Sequence, residues 1–158
     1  MMSKKFVIFI VLLVSFLLIL FLLDVTGVFQ RYKYSVGKDT AKVYGDGEFQ
    51  VGYHEGIEFL RTEKYRVTLI RCITQRKSIG KTVYFIGTDT YSPNYGTRIY
   101  GVLSVETNRM ELFWSGPVDA EYMAEMKRLP DQSNIVIHSS SAAFLQEDWN
   151  VLQELEEK

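Results

Sequence analysis

Residue types that commonly perform catalysis are few in this chain of 158 residues. Its two histidines, His54 and His138, lie far apart, and neither has the spacing to other ligands that metal sites use, so we expect no metal ion and no cofactor. Three serines follow His138, which leaves a hydrolase with a His138 base as an alternative. However, neighbours at one strand end do not by themselves form a nucleophile and an oriented base. The sequence therefore assigns no catalytic residue.

The residue types also suggest binding of a partner, and the candidate residues lie in the segment TDTYSPNYGTR, residues 88–98. Tyrosine side chains give a large contact area at a low entropic cost, and binding residues concentrate on loops. Tyr91, Asn94 and Tyr95 are the predicted binding residues. The alternative is a solvated loop whose tyrosines pack back on the edge of the domain.

A long apolar run, residues 6–23, stands apart from the rest of the chain. It holds 17 apolar residues in 18, and Ser15 is the exception. Eighteen helical residues span about 27 Å, close to the roughly 30 Å of a bilayer hydrocarbon core. The run predicts one transmembrane helix that contacts the lipid bilayer, preceded by a cytoplasmic tail of residues 1–5.

Charges beside this run predict its orientation. Lys4 and Lys5 adjoin it, which favours an N-terminus inside the cytoplasm and a C-terminal domain outside, in a single-pass protein of the cell membrane. The alternative is a signal peptide cleaved after Gly27. We assign residues 24–39 to a juxtamembrane linker and residues 40–158 to an extracytoplasmic domain.

The domain alternates apolar and polar residues with a period near two, which predicts strands. The expected strands are 41–44, 48–52, 57–61, about 65–74, 82–87, 98–106, 110–114 and 134–138. Arg71 interrupts an apolar face, so we expect it at an exposed strand end or beside a carboxylate. A hairpin connection over residues 106–109 would pair Gly101 with Trp114, and the indole would cover the glycine backbone.

Two segments near the C-terminus have helical periodicity. Asp119 is the expected N-cap of the first, and Ser139, Ser140 or Ser141 that of the second, an amphipathic helix. The predicted fold class is α+β: an N-terminal transmembrane helix, then one domain with a mostly antiparallel sheet of hairpins. The C-terminal helix packs on that sheet.

Function is predicted less sharply than fold. Without Lys4 and Lys5, the 18 basic residues become 16 against 19 acidic ones, a formal charge of about −3 that disfavours nucleic acid as a partner. We expect a membrane-anchored, non-catalytic binding or accessory domain with an envelope protein as partner. Besides the His138 hydrolase, a structural subunit of a membrane complex is an alternative, which would expose a large apolar patch.

Extraction with alkaline carbonate tests the predicted anchor. Because residues 6–23 would dissolve in lipid, the full chain should remain in the membrane pellet after extraction. Release of the intact chain would contradict the anchor, and a mature N-terminus at residue 28, measured by mass spectrometry, would favour the cleaved alternative.

Overall fold

The computed structural model describes residues 4–25, 34, 36 and 38–158. The chain divides into two units, residues 1–33 and 34–158. Most of the predicted tail and linker, and the cleavage point after Gly27, lie outside the described residues.

The first unit contains one described helix, α1, which spans Lys4–Val25. Its described side chains are those of Phe6 and residues 9–19, and most are large, apolar and exposed. Among the residues that the structure describes, no helix is both long enough and apolar enough to cross a membrane. The crossing by residues 6–23 therefore stays a prediction.

The second unit is an α+β domain. Its described strands are β1 Thr40–Tyr44, β2 Phe49–His54, β3 Ile57–Thr62, β4 Val67–Ile70, β5 Cys72–Ile79, β6 Thr82–Thr88, β7 Arg98–Ser104, β8 Arg109–Trp114 and β9 Ile135–His138. Its described helices are α2 Ala120–Met126 and α3 Gln146–Glu156, with a 3-10 turn at Ser141–Ala143 before α3. The predicted α+β class is confirmed.

The strands form two sheets, where we expected one. The first sheet has the order β1-β2-β3-β4 and the second the order β5-β6-β7-β8-β9. Paired neighbours are antiparallel except β8 and β9, which are parallel. The expected continuous strand over residues 65–74 is wrong because it breaks at Arg71, where the chain passes from the first sheet to the second.

Alternation along the strands supplies two apolar layers, one on each face of the second sheet. One face packs against the first sheet, and the buried residues of this layer include Phe49, Val51, Leu60, Leu69, Phe85, Ile99, Leu103 and Leu112. The other face packs against α3, with Tyr84, Ile86, Tyr100, Val102, Phe144, Leu152 and Leu155 buried. The prediction that the C-terminal helix lies on the sheet is confirmed.

The β7–β8 hairpin is shifted from the expected register. Gly101 lies opposite Leu112, and Trp114 lies opposite Ile99, so the predicted cover of Gly101 by Trp114 is wrong. The turn comprises residues 105–108 because Asn108 takes the left-handed conformation, with φ of 52°. Asparagine tolerates that conformation better than an arginine at position 109 would.

Helix capping agrees with the prediction at α2 and differs at α3. The Asp119 carboxylate accepts hydrogen bonds from the backbone N–H groups of Glu121 and Tyr122, as an N-cap should. The N-cap of α3 is Leu145, with no side-chain hydrogen bond. The serine cap predicted for this helix is instead Ser140 at the 3-10 turn, where its hydroxyl accepts from Ala142 N–H.

Two buried tyrosine hydroxyls hold α3 on the second sheet. Tyr84 donates to Asp148 at 2.8 Å, and Tyr100 donates to Glu156 at 2.7 Å. Burial, together with the Asp148 hydrogen bond, raises the pKa of Tyr84 to about 12. Burial beside Glu156 also raises the pKa of Tyr100, so both phenols remain protonated donors at neutral pH.

Two strand glycines should respond differently to a methyl group. A Cβ at Gly87 would lie 2.3 Å from the Cys72 carbonyl oxygen, which is backbone, whereas a Cβ at Gly52 would meet the free end of the Phe59 ring. We expect Gly87→Ala to lower the free energy of unfolding by about 1–3 kcal/mol and Gly52→Ala by less than about 1 kcal/mol. Urea unfolding of the full chain in detergent measures both values, and equal losses would contradict the difference.

Candidate binding groove

Tyr91, Asn94 and Tyr95 lie in the loop of residues 89–97 between β6 and β7. Tyr91 is 55% exposed and Tyr95 is 75% exposed. Internal hydrogen bonds fix the loop: the Thr88 hydroxyl lies 2.9 Å from the Thr90 and Ser92 carbonyl oxygens, and the Thr90 hydroxyl donates to Tyr95 O at 2.6 Å. The exposed tyrosines are therefore carried on a loop with a defined backbone.

Asp89 joins this loop to the start of α2. Its carboxylate is buried and accepts from Thr97 N–H and from Asp119 N–H, each at 2.6 Å. The Thr97 hydroxyl also donates to the Pro117 carbonyl oxygen. Sequence reasoning missed Asp89 because its two backbone partners are 8 and 30 residues away, with no spacing to mark them.

Arg71 is a buried cation at the point where the chain crosses from the first sheet to the second. Its side chain is 6% exposed, and one terminal nitrogen, Nη2, lies 3.3 Å from Glu121 and 3.4 Å from Glu125. The other terminal nitrogen, Nη1, lies 3.7 Å from Asp119. The expected carboxylate partner is confirmed, and the expected exposed strand end is wrong, because α2 brings its carboxylates to the buried guanidinium.

Arg71 also fixes the position of Tyr91. Its guanidinium lies 5.4 Å from the Tyr91 ring centroid and 5.6 Å from that of Tyr122, distances typical of cation–π contacts. The Tyr122 hydroxyl donates to Leu69 O at 2.6 Å, which ties α2 to β4. One side of the Tyr91 ring is thereby held against the protein, while more than half of the residue remains exposed.

A groove lies on the outer face of the first sheet, the face that points away from the second sheet. Its floor is built where β2 pairs with β3, with Gly52 directly opposite Phe59. The absence of a side chain at Gly52 lets the Phe59 ring lie across β2: a Cβ there would be 2.1 Å from the ring tip. This is the aromatic cover of a strand glycine that we expected at Gly101.

The groove has a volume of about 630 Å³. Tyr91 forms part of its wall, whereas Asn94 and Tyr95 are not among its lining residues. The lining residues from the sheet and the adjoining turns are Lys38, Asp39, Gly52, Tyr53, His54, Glu55, Ile57, Phe59, Arg61 and Thr68. We call this surface the outer groove. It combines an apolar and aromatic floor with charged groups of both signs at its rim.

A smaller pocket of about 260 Å³ adjoins the outer groove and shares Arg61 and Thr68 with it. Arg61 already has polar partners, because its guanidinium contacts the Glu63 carboxylate and lies 3.4 Å from the Gln50 amide oxygen. Arg66, which also lines the smaller pocket, is exposed and has no ion-pair or hydrogen-bond partner among the described residues. Among the described residues that line the smaller pocket, Arg66 is therefore the cation without a partner.

The two histidines lie in different settings. His54 is exposed at the groove rim, 3.7 Å from Glu55. His138 is part-buried, with Nε2 2.8 Å from a Glu111 carboxylate oxygen and its ring at an edge-to-face angle to Phe144. Neither of the two described pockets is lined by His138.

Cys72 is buried at the start of β5. Burial raises the pKa of its thiol, which keeps the thiolate fraction small at neutral pH. Within the described part of the chain, no group of three or more His, Cys, Asp or Glu side chains could hold a metal ion.

No known protein family, no curated protein and no solved structure matches this chain.

Two glutamates on α2 contact the same nitrogen of Arg71 and provide a matched test of this cluster. Glu125 is 20% exposed and also accepts from Thr68 N–H at 2.8 Å, whereas Glu121 is 84% exposed. We expect Glu125→Ala to lower the free energy of unfolding by about 2–3 kcal/mol, because it removes a partner of a buried cation and the acceptor of a backbone donor.

For Glu121→Ala we expect a loss below about 0.5 kcal/mol, because water screens an exposed ion pair. Urea unfolding of both variants provides the measurement. Equal losses would mean that Glu125 has no special role in holding Arg71.

Proposed function

We propose that this chain is a membrane-tethered, non-catalytic binding module whose extracytoplasmic domain binds its ligand in the outer groove. The observation that carries the proposal is the wall of this groove: Tyr91 stands on a hydrogen-bonded loop and against the buried Arg71. The groove is therefore formed before any ligand arrives.

The composition of the outer groove supports binding. Ligand sites usually have volumes of about 300–1,000 Å³ and combine mainly apolar and aromatic walls with a few polar groups. At about 630 Å³ the outer groove falls in this range, and Ile57, Phe59 and Tyr91 supply its apolar surface. A wall that is already fixed costs a ligand less ordering entropy than one that must form on binding.

Tethering rests on the sequence of residues 6–23 and on the chemistry of α1. A helix that exposes Phe9, Leu12 and Phe16 needs an apolar environment for these side chains, and lipid is the environment that we propose. Lys4 and Lys5 support an N-terminus inside and a domain outside the cytoplasm. In that arrangement the groove would be presented to other components of the cell envelope.

A planar apolar fragment tests whether the outer groove is a binding surface. We would titrate indole, at millimolar concentrations, into the full chain in lipid nanodiscs with labelled isoleucine methyl groups. Ile57 lines the groove, and Ile137, which is 38% exposed on β9, is the internal control. The methyl resonance of Ile57 should shift and that of Ile137 should not.

Two tyrosine variants complete this experiment. Tyr91→Ala should weaken the Ile57 response several-fold, because it removes part of the wall. Tyr95→Ala removes the more exposed tyrosine of the same loop and should leave the response unchanged. A response shared by Ile137, or one that Tyr91→Ala does not alter, would refute the groove as the binding surface.

A further inference from the structure

The floor of the outer groove follows one strand, β3. Ile57, Phe59 and Arg61 occupy alternate positions of β3 and all line the groove. Alternate residues of a strand are about 6.6–6.8 Å apart and point to the same face. The floor is therefore a row of two apolar side chains followed by a polar one. Their spacing equals that of alternate side chains in an extended polypeptide.

Charge varies along this row. At the Ile57 end the groove lining carries charges of both signs, from Lys38, Asp39 and Glu55, the last of which lies close to the exposed His54. At the other end, the smaller pocket adds Arg66, the exposed cation without a partner among the described residues. An elongated ligand would therefore place an apolar group over Phe59 and Tyr91 and a negative group near Arg66.

Strand addition cannot account for binding on this surface. β3 is paired on both sides, with β2 and with β4, so its backbone N–H and C=O groups are already engaged in the sheet. A ligand on the outer face must be recognised through side chains. That requirement favours a ligand that itself presents different side chains at the repeat of the strand below it.

From these observations we infer that the ligand of the outer groove is an extended peptide segment, lying along β3. It would carry an apolar or aromatic side chain over Phe59 and, four residues further on, an acidic side chain at Arg66, which lies one position beyond the Thr62–Val67 pair in the turn between β3 and β4. Both side chains point toward the sheet because an even number of positions separates them along the extended peptide. This inference rests on the proposed binding function and names the class of ligand.

Three synthetic peptides test the register. The first is acetyl-Ser-Phe-Ser-Ser-Ser-Glu-Ser-amide, with the two anchor side chains four positions apart and on one face. The second is acetyl-Ser-Phe-Ser-Ser-Glu-Ser-Ser-amide, of the same composition but with the anchors three positions apart and on opposite faces. The third replaces Glu of the first by Gln. Dissociation constants come from the Ile57 methyl shift of the full chain in nanodiscs, and we expect the first peptide to bind at least about tenfold tighter than the second.

Variants of the chain assign the anchors. Arg66→Gln should remove the preference for the Glu peptide over the Gln peptide, whereas Lys64→Gln, a change of another exposed cation in the same turn, should preserve it. Gly52→Ala should weaken the first peptide several-fold, because the new methyl group must push the Phe59 ring out of its position.

Equal affinities of the first two peptides, or a Glu preference that survives Arg66→Gln, would overturn the peptide inference. It would also be overturned if a neutral oligosaccharide, tetra-N-acetylchitotetraose, shifted Ile57 while the peptides did not. In each of these cases a Tyr91-dependent response of Ile57 to indole would leave the proposed function standing. Loss of the indole response together with the peptide response would refute both.

Discussion

A buried guanidinium needs negatively charged partners inside the protein, and the arrangement of the domain depends on the carboxylates that contact Arg71. The carboxylates come from α2, so this short helix has to lie beside β4, where Glu125 also accepts a hydrogen bond from the strand edge. The passage from the first sheet to the second occurs at the same residue. Since Tyr91 stacks on this cation, the geometry of the groove wall depends on an ion cluster that the ligand itself need not touch.

Much of the fold could be predicted because local patterns determine it. Alternation located the strands, and the type of residue at Asp119 identified a helix start. What alternation cannot state is which sheet a strand joins. The alternation of Tyr65, Val67, Leu69 and Ile73 suits a continuous strand as well as a broken one. The carboxylates of α2 that contact Arg71 at the break are distant in sequence, so no local pattern indicates them. The hairpin register failed for a related reason, since a shift of two residues leaves every side chain on the same face.

The candidate site was only partly accessible from the sequence. Composition pointed to Tyr91 but gave equal weight to Asn94 and Tyr95, which do not line the groove. The floor of the outer groove could not be predicted because it depends on the register between β2 and β3. Gly52 and Phe59 do not indicate a groove individually, and they form one only because the register places them opposite each other. Asp89 and Arg66 were missed likewise, one because its partners are distant in sequence and the other because an exposed arginine in a turn is ordinary.

The aromatic face of the second sheet has a consequence for synthesis of the chain. Tyr84, Tyr100 and Val102 become buried against α3, whose residues are translated after all nine described strands. Until residues 146–156 leave the ribosome, this apolar surface lacks the side chains of α3 that cover it, and it can associate with other nascent chains. An mRNA truncated just before the codons of α3 would therefore encode a polypeptide that keeps all nine described strands but aggregates readily. Such a polypeptide would depend on chaperones to stay soluble.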